Sequence, residues 1–425
     1  MLNAWRSDVS GRIVARLLVA AALLWPTLGP AADLAITGAR ILTAPDEPAL
    51  ERGTVLVRDG RIVAVGAAEA VDVPRGIETL DASGLTLTAG FWNSHVHLLA
   101  DAFVDAARRP AATLAIELQA MFTRWGFTTV FDISSQLADT AALRQRIDAG
   151  EVAGPRILTT GNPIFPANGT PIYVRELWKR RAWANDEVET PELARAKVAA
   201  QLRRGADGVK VFTGAIVGPP QGVLPMPIAI ARAAVEPALA AGKPAFAHPT
   251  TPLGIRIALD AGVTVLAHTT PTEGQWPAEL VAELARRRVA LVPTLTLLEV
   301  ALAEDRVPRP VVERMMGDAQ QQVRALAAAG GEILFGTDVG FIAQADTTRE
   351  FQLMAGAGLD HRAILRALTT APAARFGAGA RAGRVALGAE ADLVLLGADP
   401  ARGVEAFADV RYTIRAGRIV YRAPR

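Results

Sequence analysis

From residue 85 to residue 338 the chain alternates short apolar runs with longer segments whose apolar positions recur every three or four residues. The apolar runs are LTLTAGFW, TTVFDI, RILTTG, GVKVFT, PAFAH, VTVLAH, VALVPT and ILFGTD, and each reads as a strand. Between them lie helical patterns such as TLAIELQAMFTRWG, TAALRQRIDAG, PELARAKVAAQLRRG, IAIARAAVEPALAAG, PAELVAELARRR and VVERMMGDAQQQVRALAAAG. Several of these close on Gly, as helices commonly do. Strands alternating with helices in this number predict an α/β fold, a (β/α)8 TIM barrel. A doubly wound open sheet shares the alternation, but no glycine fingerprint follows the first strand to support a nucleotide site.

The flanks have a different texture. Residues 33 to 84 hold β-branched runs punctuated by Gly and Asp-Gly, in LAITGARILTA, GTVLVRDGRIVAVG and IETLDASG. RDGR between two such runs is a hairpin signal. The C-terminal ADLVLLGADP and DVRYTIRAGRIVYR repeat the style, with RAGR in the place of RDGR. The two ends are predicted to pair as one small all-β unit. The first 32 residues differ again. Arg6, Arg12 and Arg16 give a positive start, and LLVAAALLW is an apolar core too short to span a bilayer, followed by Pro26 and LGPAA. This is the pattern of a signal peptide, and it predicts a periplasmic or secreted protein whose mature chain begins near Asp33. An uncleaved amphipathic anchor is the other reading of the same segment.

Charge and composition narrow the function classes. Taking the leader's three Arg and one Asp from 45 basic and 43 acidic residues leaves 42 of each, so the mature chain is near neutral. That argues for no nucleic-acid partner. No membrane anchor is expected once the leader is removed, and a homo-oligomer stays open. The chain has no cysteine, which excludes disulfides, thiolate ligands and a cysteine nucleophile. Any metal must be held by nitrogen and oxygen.

Four of the five histidines fall at predicted strand ends. His95 and His97 end the first strand, and their period of two puts both on one face of an extended chain. Alone they are either a ligand pair or polar residues of a loop. His248 ends the fifth strand, His268 the sixth and Asp338 the eighth. Catalytic groups of such a barrel sit where strands end, so these residues form a candidate metal site. Lys210 lies within the fourth strand, in a chain whose cations are otherwise almost all Arg; only Lys179, Lys197, Lys210 and Lys243 occur. A desolvated lysine is nucleophilic and can add carbon dioxide to become a carbamate able to bridge two metals. The other reading is a buried ion pair. Asp132, at the end of the second strand, is a candidate for supporting the site. The long segment GNPIFPANGTPIYVRELWKRRAW carries Tyr173 and Arg175 as candidate substrate contacts, or is a structural loop. His361 follows Asp360 at a helix start and reads as an exposed residue.

This pattern of HxH, Lys, His, His and Asp resembles the amidohydrolase superfamily. The flanks GARIL…VRDGRIVAVG and GRVALGAEADLVLLGADP, with FAHPTT, ALDAGVTVLAHTTP and LFGTDVG, are similar to its imidazolonepropionase-like and prolidase-like branch. The resemblance implies a composite β-sandwich domain from residues 33–88 and 377–425, and a hydrolase barrel over 89–376. It implies two divalent metal ions, zinc being expected. His95, His97 and Asp338 would hold one, His248 and His268 the other, and carbamylated Lys210 would bridge them. A hydroxide between the metals would attack, with Asp338 as proton shuttle and Lys210 as a catalytic bridge. Peptidase members are expected to carry a tyrosine soon after the strand-four lysine, and KVFTGAIVGPPQG has none. The expectation is therefore a hydrolase of a small molecule's carbon–nitrogen bond, non-peptide or a cyclic amide. The alternatives are an Xaa-Pro-type dipeptidase, a lactone or phosphotriester hydrolase, and a metal-loaded binding protein without turnover.

Overall fold

A computed structural model describes residues 33–181, 183 and 186–424. The expected leader, 1–32, lies outside the described residues. Five strands open the described chain: β1 (Leu34–Ile41), β2 (Leu50–Arg58), β3 (Arg61–Ala67), β4 (Glu78–Asp81) and β5 (Thr86–Ala89). Then β6 (Phe91–Val96) precedes α1 (Ala111–Met121), and β7 (Phe127–Asp132) precedes α2 (Leu137–Asp148). After β8 (Arg156–Thr159) come the two-residue β9 (Phe165–Pro166), α3 (Ile172–Arg180), β10 (Glu187–Val188) and α4 (Pro191–Arg203). β11 (Val209–Phe212) leads into a hairpin of β12 (Gly214–Gly218) and β13 (Gly222–Pro225), and then α5 (Ile228–Ala240). β14 (Ala245–His248), α6 (Pro252–Ala261), β15 (Val265–Ala267), α7 (Ala278–Arg286) and β16 (Ala290–Val292) keep the alternation. Five helices follow: α8 (Leu295–Glu304), α9 (Arg309–Ala328), α10 (Thr348–Gly356), α11 (His361–Leu368) and α12 (Thr370–Arg375). The chain closes with β17 (Leu393–Leu396), β18 (Val410–Arg415) and β19 (Arg418–Arg422).

Both chain ends enter one sheet of eight strands, ordered β19-β18-β17-β5-β1-β2-β3, with β4 beside β1. Antiparallel pairing of β17 with β5 joins them, Leu393 opposite Ala89. The RDGR and RAGR signals become the turns β2–β3 and β18–β19. Asp59 and Gly60 have φ of 48° and 72°, and Ala416 and Gly417 have φ of 47° and 76°. Two successive left-handed residues match the twist of a two-residue hairpin, which is why Asp-Gly marks it. Ile36, Val55, Val57, Ile62, Leu87, Leu393, Leu395 and Ile414 form this sheet's apolar core. A sandwich of two sheets was expected here; the described end strands form a single continuous sheet, because β5 pairs with strands of both ends.

The central strands run parallel, β6-β7-β8 in one sheet and β11-β14-β15-β16 in another. Their helices pack a large core of Leu, Val, Ile and Phe around them. Backbone bonds link the two sheets: Ile164 N–H donates to Lys210 O at 2.8 Å, and Phe212 N–H to Ile164 O at 3.0 Å. On the other side, Leu334 N–H reaches Leu291 O at 2.9 Å and Ser94 N–H reaches Phe335 O at 2.8 Å. The predicted eighth strand, 333–338, is extended chain carrying isolated bridges rather than a strand. Close packing explains this. A Cβ on Gly336 would lie 2.3 Å from Val292 Cγ1 and 2.8 Å from His95 Cβ, and Asp338 turns the chain with φ 62°. Among the described residues no helix is long and apolar enough to cross a membrane.

Candidate metal centre and active site

The parallel strands all deliver their C-terminal ends to one place. His95 lies in β6 and His97 just beyond it. Lys210 lies in β11, His248 ends β14, His268 follows β15, and Asp338 follows the bridged segment. These six side chains meet. His97 Nε2 is 2.8 Å from Asp338 Oδ1, and His95 Nε2 and His268 Nε2 are 3.4 and 3.6 Å from Oδ2. The His95 ring centroid is 5.2 Å from that of His97 and 4.6 Å from that of His268, which is 4.6 Å from His248. Phe212 stacks flat on His248 at 4.7 Å and fixes its plane.

The local chain is bent to achieve this. His268 and Asp338 have φ of 74° and 62°, and Thr250 and Thr294, at neighbouring strand ends, have 57° and 46°. Non-glycine residues rarely adopt this region, and such outliers cluster at functional sites. Burial also sets the charge states. It holds His95, His248 and His268 well below the usual imidazole range, with the Lys210 ammonium adding to the effect. These three histidines are therefore neutral at physiological pH. Burial lowers the Lys210 ammonium to about pH 7, the Asp338 charge opposing it.

Both ring nitrogens of His95 and the Nδ1 of His97 are buried without a hydrogen-bond partner, and Asp338 Oδ1 forms no hydrogen bond despite its nearness to His97. Buried polar atoms left unpaired are costly, and an electrophile at the cluster would satisfy those that face it. His95, His97 and Asp338 offer ligand atoms that all lie within 4.8 Å of one another, a group able to hold a metal ion. Nitrogen and oxygen donors of this kind suit zinc and similar divalent ions.

The remaining candidates have different fates. Asp132 is fully buried and accepts from Ser135 Oγ (2.6 Å), Thr159 Oγ1 (2.9 Å) and Thr140 Oγ1 (3.1 Å). It ties the end of β7 to the end of β8 and to α2, and so braces the strand ends around His97. Tyr173 lines the cavity, its ring edge-on to Phe341 at 5.2 Å. Arg175 does not line it. The guanidinium expected to contact substrate instead donates to the carbonyls of Thr170 and Val217, fastening the loop to the β12–β13 hairpin. His361 is the first residue of α11, whose N-cap Asp360 accepts from Ala363 N–H, and it too is outside the cavity.

Sequence reading missed Thr294. Its hydroxyl donates to Pro293 O at 2.8 Å and therefore accepts from His268 Nδ1–H at 2.6 Å. That bond selects the tautomer with Nε2 unprotonated and facing the cluster. The available signal was positional, because Thr294 follows the seventh strand as the ligands follow theirs.

Above the cluster is a cavity of about 420 Å3. Leu99, Ile172, Trp178, Phe212, Leu297, Leu298 and Phe341 make most of its wall apolar. Glu304 and Asp305 stand among its lining residues, and Lys210 is the lone lysine or arginine among them.

Parallel strands with polar donors gathered at their C-terminal ends, beneath an apolar cavity, form a candidate active site able to hold a metal ion. The chain belongs to the amidohydrolase family, whose model matches residues 86–420. A solved Xaa-Pro dipeptidase with methionine in its active site has a similar fold, with a TM-score of 0.77 at 20% identity, covering 92% of this chain and 100% of that one. Molinate hydrolase has a TM-score of 0.73 at 21% identity, covering 93% and 98% of the two chains. Adenine deaminase 2 of Bradyrhizobium sp. (strain ORS 278) is 30% identical over 141 residues, which span 32% of this chain and only 22% of that protein's length.

Proposed function

We propose that this chain is an exported hydrolase that cleaves the carbon–nitrogen bond of a neutral, largely apolar, non-peptide or cyclic amide, on a (β/α)8 barrel carrying two zinc ions. His95, His97 and Asp338 would hold one ion, His248 and His268 the other. Zinc there supplies Lewis acidity toward a carbonyl and lowers the pKa of water. Lys210 Nζ would add carbon dioxide, forming an N–C bond and releasing a proton, and the resulting carbamate would offer oxygen ligands to the site. Its amine is suited to this because burial lowers its pKa to about 7, which favours the neutral, nucleophilic form. Asp338 takes the proton from the attacking water and delivers it to the departing nitrogen. Tyr173 and Phe341, in edge contact, form part of the wall against which the substrate's apolar body packs.

The cavity lining carries the substrate reading. A dipeptide brings a carboxylate, which proteins usually meet with arginine or lysine. Here Arg175 is engaged elsewhere, Lys210 is committed to the cluster, and Glu304 and Asp305 would repel an anion. A panel of anilides, cyclic amides, dipeptides, lactones and phosphotriesters tests this with the zinc-loaded protein. Neutral amides should show kcat/KM at least about a hundredfold above dipeptides, because an unpaired buried carboxylate costs several kcal/mol. Faster turnover of dipeptides or phosphotriesters would reject the assignment.

A further inference from the structure

Glu350 is buried to 1% exposure in the first turn of α10 and does not line the cavity. Burial raises its carboxyl to about pH 7, so an ionisable group is kept there at a cost. Its two oxygens accept from the first backbone N–H groups of α8: Leu295 N–H to Oε1 at 2.9 Å and Thr296 N–H to Oε2 at 2.7 Å. A helix normally satisfies such groups through its own N-cap side chain. The N-cap of α8 is Thr294, a residue type suited to that task, yet it makes no cap bond. Its hydroxyl is turned to Pro293 O and His268 Nδ1 instead. A β-branched residue at φ 46° is also strained, and something outside the residue must hold it.

We propose that Glu350 is a positioning residue for His268: by capping α8 in place of Thr294, it frees the threonine hydroxyl to hold the imidazole with Nδ1 protonated and Nε2 presented to the cluster. The inference rests on the reading of His268 as a metal ligand only for its functional consequence. Without Glu350, Thr294 returns to ordinary capping geometry and lets go of the ring.

Two measurements on the full chain test this. Long-range proton–nitrogen NMR of histidine-labelled, metal-free protein reads the tautomer of His268. Zinc affinity comes from competition with a chromophoric chelator. The native protein should show one His268 tautomer, Nδ1–H. In Glu350→Gln the amide NH2 must face one of the two N–H donors. In Glu350→Asp the shorter side chain cannot span both. Each variant should give a tautomer mixture and bind one of its zinc ions about ten- to a hundredfold more weakly, the usual size of effect when a ligand's outer partner is lost. Thr294→Val should do the same, and Thr294→Ser should behave like the native protein. A single Nδ1–H tautomer with unchanged zinc affinity in either folded Glu350 variant overturns the proposal. A mixed tautomer with unchanged zinc binding would uphold the positioning role and instead reject His268 as a ligand.

Discussion

Replacing Lys210 with methionine should stabilise the metal-free protein while abolishing its activity. Lys210 is 1% exposed, and its ammonium loses its proton near pH 7 in the folded state against 10.5 for an unburied lysine. Below pH 7 both folded and unfolded chains carry the proton, and the folded state bears the full cost of the buried charge. Between pH 7 and 10.5 the unfolded chain holds more protons, so folding stability climbs as pH rises. The shift corresponds to roughly 5 kcal/mol at pH 6, falling to roughly 2 kcal/mol by pH 9. Methionine is of similar length and carries no charge, so Lys210→Met should gain most at pH 6 and keep less than half of that gain at pH 9. Histidine protonation does not blur the comparison, since burial keeps His95, His248 and His268 neutral at pH 6. Urea unfolding of chelator-stripped protein at the two pH values measures the difference. A native–variant gap that stays constant, or widens, between pH 6 and pH 9 would refute the claim that burying the Lys210 ammonium costs the fold stability.

Lys210→Ala should lose most bound zinc by elemental analysis and at least about a thousandfold in kcat/KM; a short carboxylic acid should restore part of both. Lys210→Arg should show no such recovery, because its side chain still fills the space and repels cations; near-normal zinc content and rate in that variant would remove the carbamate from the mechanism. Amino-terminal sequencing of protein from the producing cell should find a start near Asp33, and soluble cytoplasmic protein beginning at Met1 would reject export.

Much of the side-chain cluster was legible along the chain because strand ends can be read locally. An apolar run that stops at His95, His248 or His268 names both the element and the position of its polar terminus, and the fold then brings those termini together at one end. The Asp59-Gly60 turn was legible for a similar reason, its backbone requirement being written into two residues. The parts that escaped depend on distance across the fold. ILFGTD has the composition of a strand, yet contact of Gly336 with Val292 and His95 and the turn at Asp338 leave it as bridged extended chain. Arg175 looked like a substrate contact because its type suits one, but the carbonyls of Thr170 and Val217 reach it first. Thr294 and Glu350 are 26 and 82 residues from His268 in sequence, and neither carries a motif. The amino-acid sequence by itself determined which residues could bind a metal and which strand ends would carry them, since both follow from local periodicity and side-chain chemistry. Only the tertiary structure decided which imidazole nitrogen faces the cluster and which cations are free to meet a substrate, because hydrogen-bond partners are allotted by packing among elements far apart in the chain.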